Sequence, residues 1–256
     1  MNRIDKLFQT KKEKVLSIYF TAGYPSVDSV EKIILLLEKN GADMIEIGIP
    51  YSDPLADGPV IQETGKVAIA NGMTLENLFL QLTNIRKETT VPLLLMGYIN
   101  PIIQFGFSRF CQNAAEMGID GLIIPDLPLR EYDNIYRETV LANNLKNIFL
   151  ITPDTSAQRI RQIDDLSTGF IYMVSSASTT GKTRTFDDNQ IKYFKRISSM
   201  KLKNPAMVGF GIYNRETLEH VFSYCQGAIV GSAYMRALQK SNSLEEDTSD
   251  FFKSLK

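Results

Sequence analysis

The chain is short of the residues that most often carry metal or redox chemistry. Its 256 residues include one histidine, His220, and two cysteines, Cys111 and Cys225. One histidine, on a stretch of helical periodicity, leaves no histidine ligand set and argues against an imidazole base; it is expected at the surface. The cysteines have no CxxC spacing and no companion histidine, so they read as buried free thiols in a reducing compartment. Net charge is nearly absent: 28 Lys and Arg stand against 29 Asp and Glu, a formal charge of −1. No global field therefore recruits nucleic acid or an acidic membrane. Long hydrophobic runs are missing too. The longest covers only residues 33–37, far short of the ~20 apolar residues a membrane helix needs, and the opening MNRIDKLF lacks the apolar core of a signal peptide. A cytoplasmic location is expected.

What the chain does have is alternation. Short β-branched or apolar runs occur at residues 15–21, 44–49, 92–97, 121–125, 147–152, 169–174, 206–210 and 227–231. Between them lie stretches of three- and four-residue apolar spacing at 29–40, 74–88, 109–117, 130–144, 157–166, 189–200 and 215–223, the signature of amphipathic helices. Thr74 and Asn214 stand where helix N-caps belong. Near-continuous apolar strands alternating with helices imply a parallel sheet covered by helices. Eight units point to an α/β fold, a single (β/α)8 barrel over residues 1–256; an open doubly wound sheet is the alternative. Ile4, Leu7 and Phe8 share a helical face suited to plugging the barrel bottom, and Phe251, Phe252 and Leu255 suit a last helix. None of the eight runs contains a lysine, which argues against an aldolase that holds a Schiff-base lysine inside its barrel. The longest spacings follow the second and sixth runs, and barrel active sites are built from the loops after strands.

The second run places a carboxylate, Glu46, at the centre of MIEIGI, with Asp53 and Asp57 in the loop that follows. Glu46 shares a strand face with Met44 and Gly48, and so small a neighbour leaves room for a ligand. Burial raises a carboxyl pKa toward neutrality, which suits a group that moves protons both ways. Asp57, between turn formers, is expected to stay solvated and charged. The structural alternatives are a buried Arg or Lys paired with Glu46, and Asp57 acting as a helix cap. Asp53, Asp57 and Asp126 could also form a Mg²⁺ set. Gly209-Phe210-Gly211 and Gly231-Ser232 close the seventh and eighth runs, where this fold usually binds phosphate; ordinary turn glycines are the alternative. The stretch SSASTTGKTRT (175–185) tempts a nucleotide P-loop reading. The pattern needs glycine at position 176, which is Ser176, so a lid is the better expectation. Tyr19, Tyr98 and Tyr172 near one mouth could flank an aromatic substrate.

IEIGIPYSDPLADG (45–58) resembles the signature of the tryptophan synthase α subunit family. LLMGYIN (94–100), PDLP (125–128), GFGI (209–212) and IVGSA (229–233) are similar to further segments of that family, and the likeness covers nearly the whole chain. The resemblance implies a lyase that splits indole-3-glycerol phosphate into indole and glyceraldehyde 3-phosphate. It needs no cofactor of its own, and passes indole to a β subunit carrying pyridoxal phosphate in an assembly of two α and two β chains. It implies Glu46 as general acid–base, Asp57 as the carboxylate on the indole N–H, and Tyr172 as a supporting tyrosine. Tyr19, Ile61, Met96, Tyr98 and Ile229 would line the indole pocket. Thr180 and Gly181 would belong to the lid, and Gly181, Gly211, Gly231 and Ser232 would contact phosphate. Asp53, Pro54, Asp126 and Pro128 would face the β subunit. Two departures stand out: Gly23-Tyr24-Pro25 replaces Gly-Asp-Pro, and Ser178-Thr179-Thr180-Gly181 replaces Gly-Val-Thr-Gly. Two other readings stay open: another phosphate-sugar barrel enzyme, such as an isomerase, and a non-catalytic barrel that regulates a partner.

Overall fold

The structure, a computed structural model, describes residues 1–175, 186–239 and 243–255. Eight parallel strands close into a barrel in chain order: β1 (Val15–Thr21), β2 (Met44–Gly48), β3 (Leu93–Met96), β4 (Gly121–Ile123), β5 (Lys146–Ile151), β6 (Ile171–Val174), β7 (Ala206–Gly209) and β8 (Gly227–Val230). The open-sheet alternative is excluded by the pairing of β1 with both β2 and β8. Alternation divides the apolar residues into two cores. Val15, Met44, Leu94, Ile148, Met207 and Ile229 fill the barrel interior, while the larger cluster packs the strands against the surrounding helices. Strand edges differ from the sequence expectation by one or two residues. The one of consequence is Lys146, which opens β5 and so is a strand lysine after all. It lies at the N-terminal end, ion-paired with Asp5 at 2.8 Å, far along the strand from the mouth.

The bottom is plugged as the pattern of Ile4, Leu7 and Phe8 predicts. Helix α1 (Arg3–Thr10) is capped by the Asn2 side chain, which accepts from the Ile4 N–H. Ile4 is fully buried among the interior residues, with Leu7 and Phe8 packed beside it. Asp120, just before β4, ties this plug to the barrel. It accepts from the Arg86 guanidinium at 2.7 Å, from Arg3 at 3.1 Å and from the Leu93 N–H at 3.0 Å.

Two stretches expected as continuous helices are interrupted. Residues 74–88 form Leu75–Leu82 and Ile85–Glu88, because Asn84 sits at φ −110°, ψ 2°, outside the helical region. Residues 130–144 contain a π-helical turn at Tyr132–Tyr136, which buries Tyr132 edge-on against Phe149 at 5.1 Å. Thr74 and Asn214 do cap, each side chain accepting a backbone N–H three residues on. The C-terminal helix Leu244–Leu255 buries Phe251, Phe252 and Leu255 as expected. Cys111 and Cys225 are free and buried, and burial pushes both thiols up to about 12, which leaves them inert. Among the described residues no helix is long and apolar enough to cross a membrane.

Candidate active site

Glu46 sits inside the barrel with no exposed surface. Among the described residues no arginine or lysine reaches it, so the ion-pair alternative finds no support there. Its partner is a hydroxyl: Ser17 Oγ donates to Glu46 Oε1 at 2.9 Å. The second oxygen, Oε2, is buried with no hydrogen-bond partner among the described residues. Burial penalises the charged form and raises the Glu46 carboxyl from 4.5 to about 8, the serine hydrogen bond pulling the other way. The group is therefore predominantly a neutral acid near pH 7.

Gly48 does not leave ligand space, contrary to the sequence reading. Thr21 is its register partner on β1, and Tyr19 lies one step back, opposite Glu46. The Tyr19 hydroxyl lies directly over the Gly48 Cα, in the place a side chain would take. The same device recurs across the barrel, where Tyr172 on β6 lays its hydroxyl over Gly209 at the end of β7. Both phenols are held well above their usual pKa, first by burial, with the charge of Asp57 or Glu46 adding to it. Tyr172 also meets Phe210 edge-on, with centroids 6.3 Å apart. Between these rings a narrow cavity of about 40 Å³ opens at the mouth, lined by Tyr19, Asp57, Ile61, Met96, Tyr172, Phe210, Ile229, Gly231 and Ser232. Glu46 is not in this lining. A larger cavity, about 330 Å³, lies at the opposite end between Lys12, Lys201, Lys203 and Tyr224, and gathers none of these carboxylates.

Asp57 departs from its expected environment. It is half-buried rather than solvated. Burial raises its carboxyl from 3.8 to about 6, a rise tempered by a hydrogen bond from the Tyr98 hydroxyl. That hydroxyl also accepts the Ala56 N–H at 2.9 Å, so one phenol fixes both the loop backbone and the carboxylate. Asp57 does not cap the following helix. Gly58 is the cap, and Pro59, whose missing N–H costs nothing there, is the first helical residue of Pro59–Ala70.

The structure brings together Tyr19, Asp57, Ile61, Met96, Tyr172, Ile229, Gly231 and Ser232 around one cavity, with Glu46 adjoining and Tyr98 behind Asp57. Gly211 stands at the same rim in a left-handed conformation, φ +73°, beside Phe186 and Ser175. Thr180 and Gly181, with Ser178 and Thr179, lie outside the described residues. Asp53, Asp126 and Pro128 are exposed and Pro54 is half-buried. Asp126 accepts the Ile99 N–H at 2.9 Å, and among the described residues no set of three or more His, Cys, Asp or Glu could hold a metal ion, so Asp53, Asp57 and Asp126 do not form one. His220 is not a surface residue. It is half-buried with Nε2 enclosed, its ring against Phe186 and Tyr224. Two site residues escaped the sequence reading. Phe210 lines the cavity between two recognised glycines. Ser17 holds Glu46, and its strand parity with Tyr19 was the available signal.

A family model described as tryptophan synthase alpha chain matches residues 6–255. The tryptophan synthase alpha chain of Flavobacterium psychrophilum is 54% identical over 254 residues, covering 98% of this chain and 100% of that one. The crystal structure of tryptophan synthase subunit alpha from Legionella pneumophila superposes with a TM-score of 0.89 at 35% identity, covering 100% of this chain and 97% of that chain. A chain of tryptophan synthase from M. tuberculosis, in an aminoacrylate-bound form, does so with a TM-score of 0.86 at 26% identity, over 100% of both.

Proposed function

Because the chain belongs to the tryptophan synthase alpha chain family, lyases that cleave indole-3-glycerol phosphate, we propose that Glu46 and Asp57 carry this cleavage as a two-carboxylate retro-aldol reaction. The observation that carries the assignment is the offset in proton affinity. Glu46 is raised to about 8 and Asp57 to about 6. Between those values one carboxyl is an acid and the other a base. Pairs pushed apart in this way mark acid–base assignments.

The chemistry then balances with these two groups alone. Glu46 donates its proton to ring carbon C3 while Asp57, as a carboxylate, accepts a hydrogen bond from the indole N–H and stabilises the positive charge that develops on the ring. Glu46, now a carboxylate, removes the proton from the side-chain hydroxyl next to the ring. That oxygen becomes the aldehyde as the bond to C3 breaks, and the bonding pair returns to the ring. That pair neutralises the ring with its N–H intact, so indole and glyceraldehyde 3-phosphate leave with Glu46 reprotonated and Asp57 still a carboxylate. Tyr172 supports Glu46. Tyr19, Ile61, Met96, Tyr98 and Ile229 hold the flat ring, and Phe210 joins them.

The phosphate is assigned to Gly211, Gly231 and Ser232, with Gly181. Gly211 is at the end of β7, and Gly231 and Ser232 lead into the helix Ser232–Leu238. Free N–H groups at such turns suit an anion. Thr180 and Gly181 are assigned to a lid that meets Asp57. The chain acts as one barrel domain, needs no cofactor of its own and works in the cytoplasm. It pairs with a β chain that carries pyridoxal phosphate, through the face of Asp53, Pro54, Asp126 and Pro128. Leu55, 95% exposed on the same loop, suits burial by a partner. The test is indole release from indole-3-glycerol phosphate, with and without a β chain. Release, strongly stimulated by the β chain, is expected. No indole under either condition would overturn the proposal.

A further inference from the structure

Among the described residues the single hydrogen bond to Glu46 comes from a residue with no assigned part in the reaction. Ser17 is fully buried, lies on the interior face of β1 and has Met44 as its register partner. Glu46 is paired in register with Tyr19, two residues farther toward the mouth. A 2.9 Å bond from Ser17 Oγ to Oε1 therefore draws the carboxyl back toward the N-terminal side of its own pair, and Glu46 is absent from the cavity lining. Oε2 is left without a partner among the described residues.

A hydroxyl differs from every cationic partner in one respect. It donates to a carboxylate oxygen and equally to the carbonyl oxygen of a carboxylic acid whose proton is on the other oxygen. An arginine or lysine would fix the anion and abolish the acid. Among the described residues the other titratable groups that face Glu46 are the phenols of Tyr19 on β1 and Tyr172 on β6, with Asp57 beyond them in the loop after β2. None of them carries a positive charge.

We propose that Ser17 is a positioning residue for the acid–base carboxyl: it holds Glu46 by Oε1 in both protonation states, and so leaves Oε2 as the oxygen that exchanges protons with the substrate. The proposal rests on Glu46 being the acid–base group. It gives a reason for a buried polar residue whose register partners on β2 and β8 are the apolar Met44 and Ile229.

The test uses the full chain with Ser17→Ala, and Ser17→Thr, which keeps the hydroxyl. Two readouts are followed: the pH profile of kcat, and the titration of the protonated-carboxyl infrared band that Glu46→Gln abolishes. In Ser17→Ala the midpoint of the Glu46 band and the alkaline limb of kcat should both rise by about one pH unit, the size expected for a lost hydrogen bond to a charged group. KM should stay within about twofold, and Ser17→Thr should restore both midpoints. An unmoved infrared midpoint in Ser17→Ala, or an equal shift in Ser17→Thr, overturns the role of Ser17. A band that shifts while the kcat profile stays put leaves Ser17 holding the carboxyl but removes Glu46 from the rate-determining proton transfer, and so overturns the acid–base assignment instead.

Discussion

Asp120 and Glu46 are carboxyls buried at opposite ends of one barrel, and they are treated in opposite ways. Asp120, at the bottom, accepts from two guanidiniums and from the backbone N–H groups of Arg3 and Leu93. Among the described residues Glu46, toward the mouth, accepts from one serine and keeps an unpartnered oxygen. Full satisfaction fixes an anion and joins α1 to the wall. Near-total deprivation yields a carboxyl whose proton is held until about pH 8. The same chemical group is a clamp in one place and an acid in the other, and the number of charged donors around it decides which.

The comparison is broken most severely at Glu46. Glu46→Gln keeps the shape and removes the proton exchange, so cleavage should fall by roughly 10²–10⁴-fold with an unchanged circular-dichroism spectrum, a loss on the scale of general acid–base catalysis. Asp57→Asn should cost about 10²–10³-fold, the scale of one preorganised electrostatic contact, in steady-state assays of indole release. Asp120→Asn should do the reverse. It leaves Arg86 and Arg3 facing a neutral amide, and breaking such a buried pair costs about 3–5 kcal/mol. Denaturant titration should register that loss while activity per folded molecule stays within about twofold.

The two ends should also separate in pH. Glu46 has a higher proton affinity folded than unfolded, 4.5 rising to about 8. Its contribution to stability is therefore complete below pH 4.5, and it is lost as pH rises through 8. Asp57 adds a smaller slope of the same sign between 3.8 and about 6. Denaturant melts of Glu46→Gln should show no Glu46 slope, so the variant gains on the parent as pH rises from 5 to 9. The smallest expected effect is at Gly48. A Cβ there collides with the Tyr19 hydroxyl, and Gly48→Ala should cost about 1–3 kcal/mol, the usual range for overpacking. Because Tyr19 also lines the cavity, KM for indole-3-glycerol phosphate should rise in the same variant.

The barrel was legible from sequence because its strands are buried on both faces and so read as apolar runs, and the helices between them carry their own caps at Thr74 and Asn214. Glu46 was legible because a carboxylate inside such a run is conspicuous, and Asp57 because it follows in the adjoining loop. What was not legible depends on register across strands. Gly48 looked like open space, yet closing the barrel lays Tyr19 over it. Ser17 looked like an ordinary strand residue until β1 and β2 were aligned. Asp57 looked solvated because its immediate neighbours are turn formers, while the fold half-buries it and brings the Tyr98 hydroxyl, 41 positions away in the chain, to its carboxylate. The π-turn at Tyr132–Tyr136 is set by packing on Phe149, which no local periodicity encodes.

The central claim is the offset between two carboxyls at one site. It is tested most directly by ¹³C NMR titration of the side-chain carboxyl carbons in the full chain, with Glu46→Gln and Asp57→Asn used to assign the two resonances. The expected midpoints are about 8 for Glu46 and about 6 for Asp57. Midpoints close to their ordinary values of 4.5 and 3.8 would contradict it.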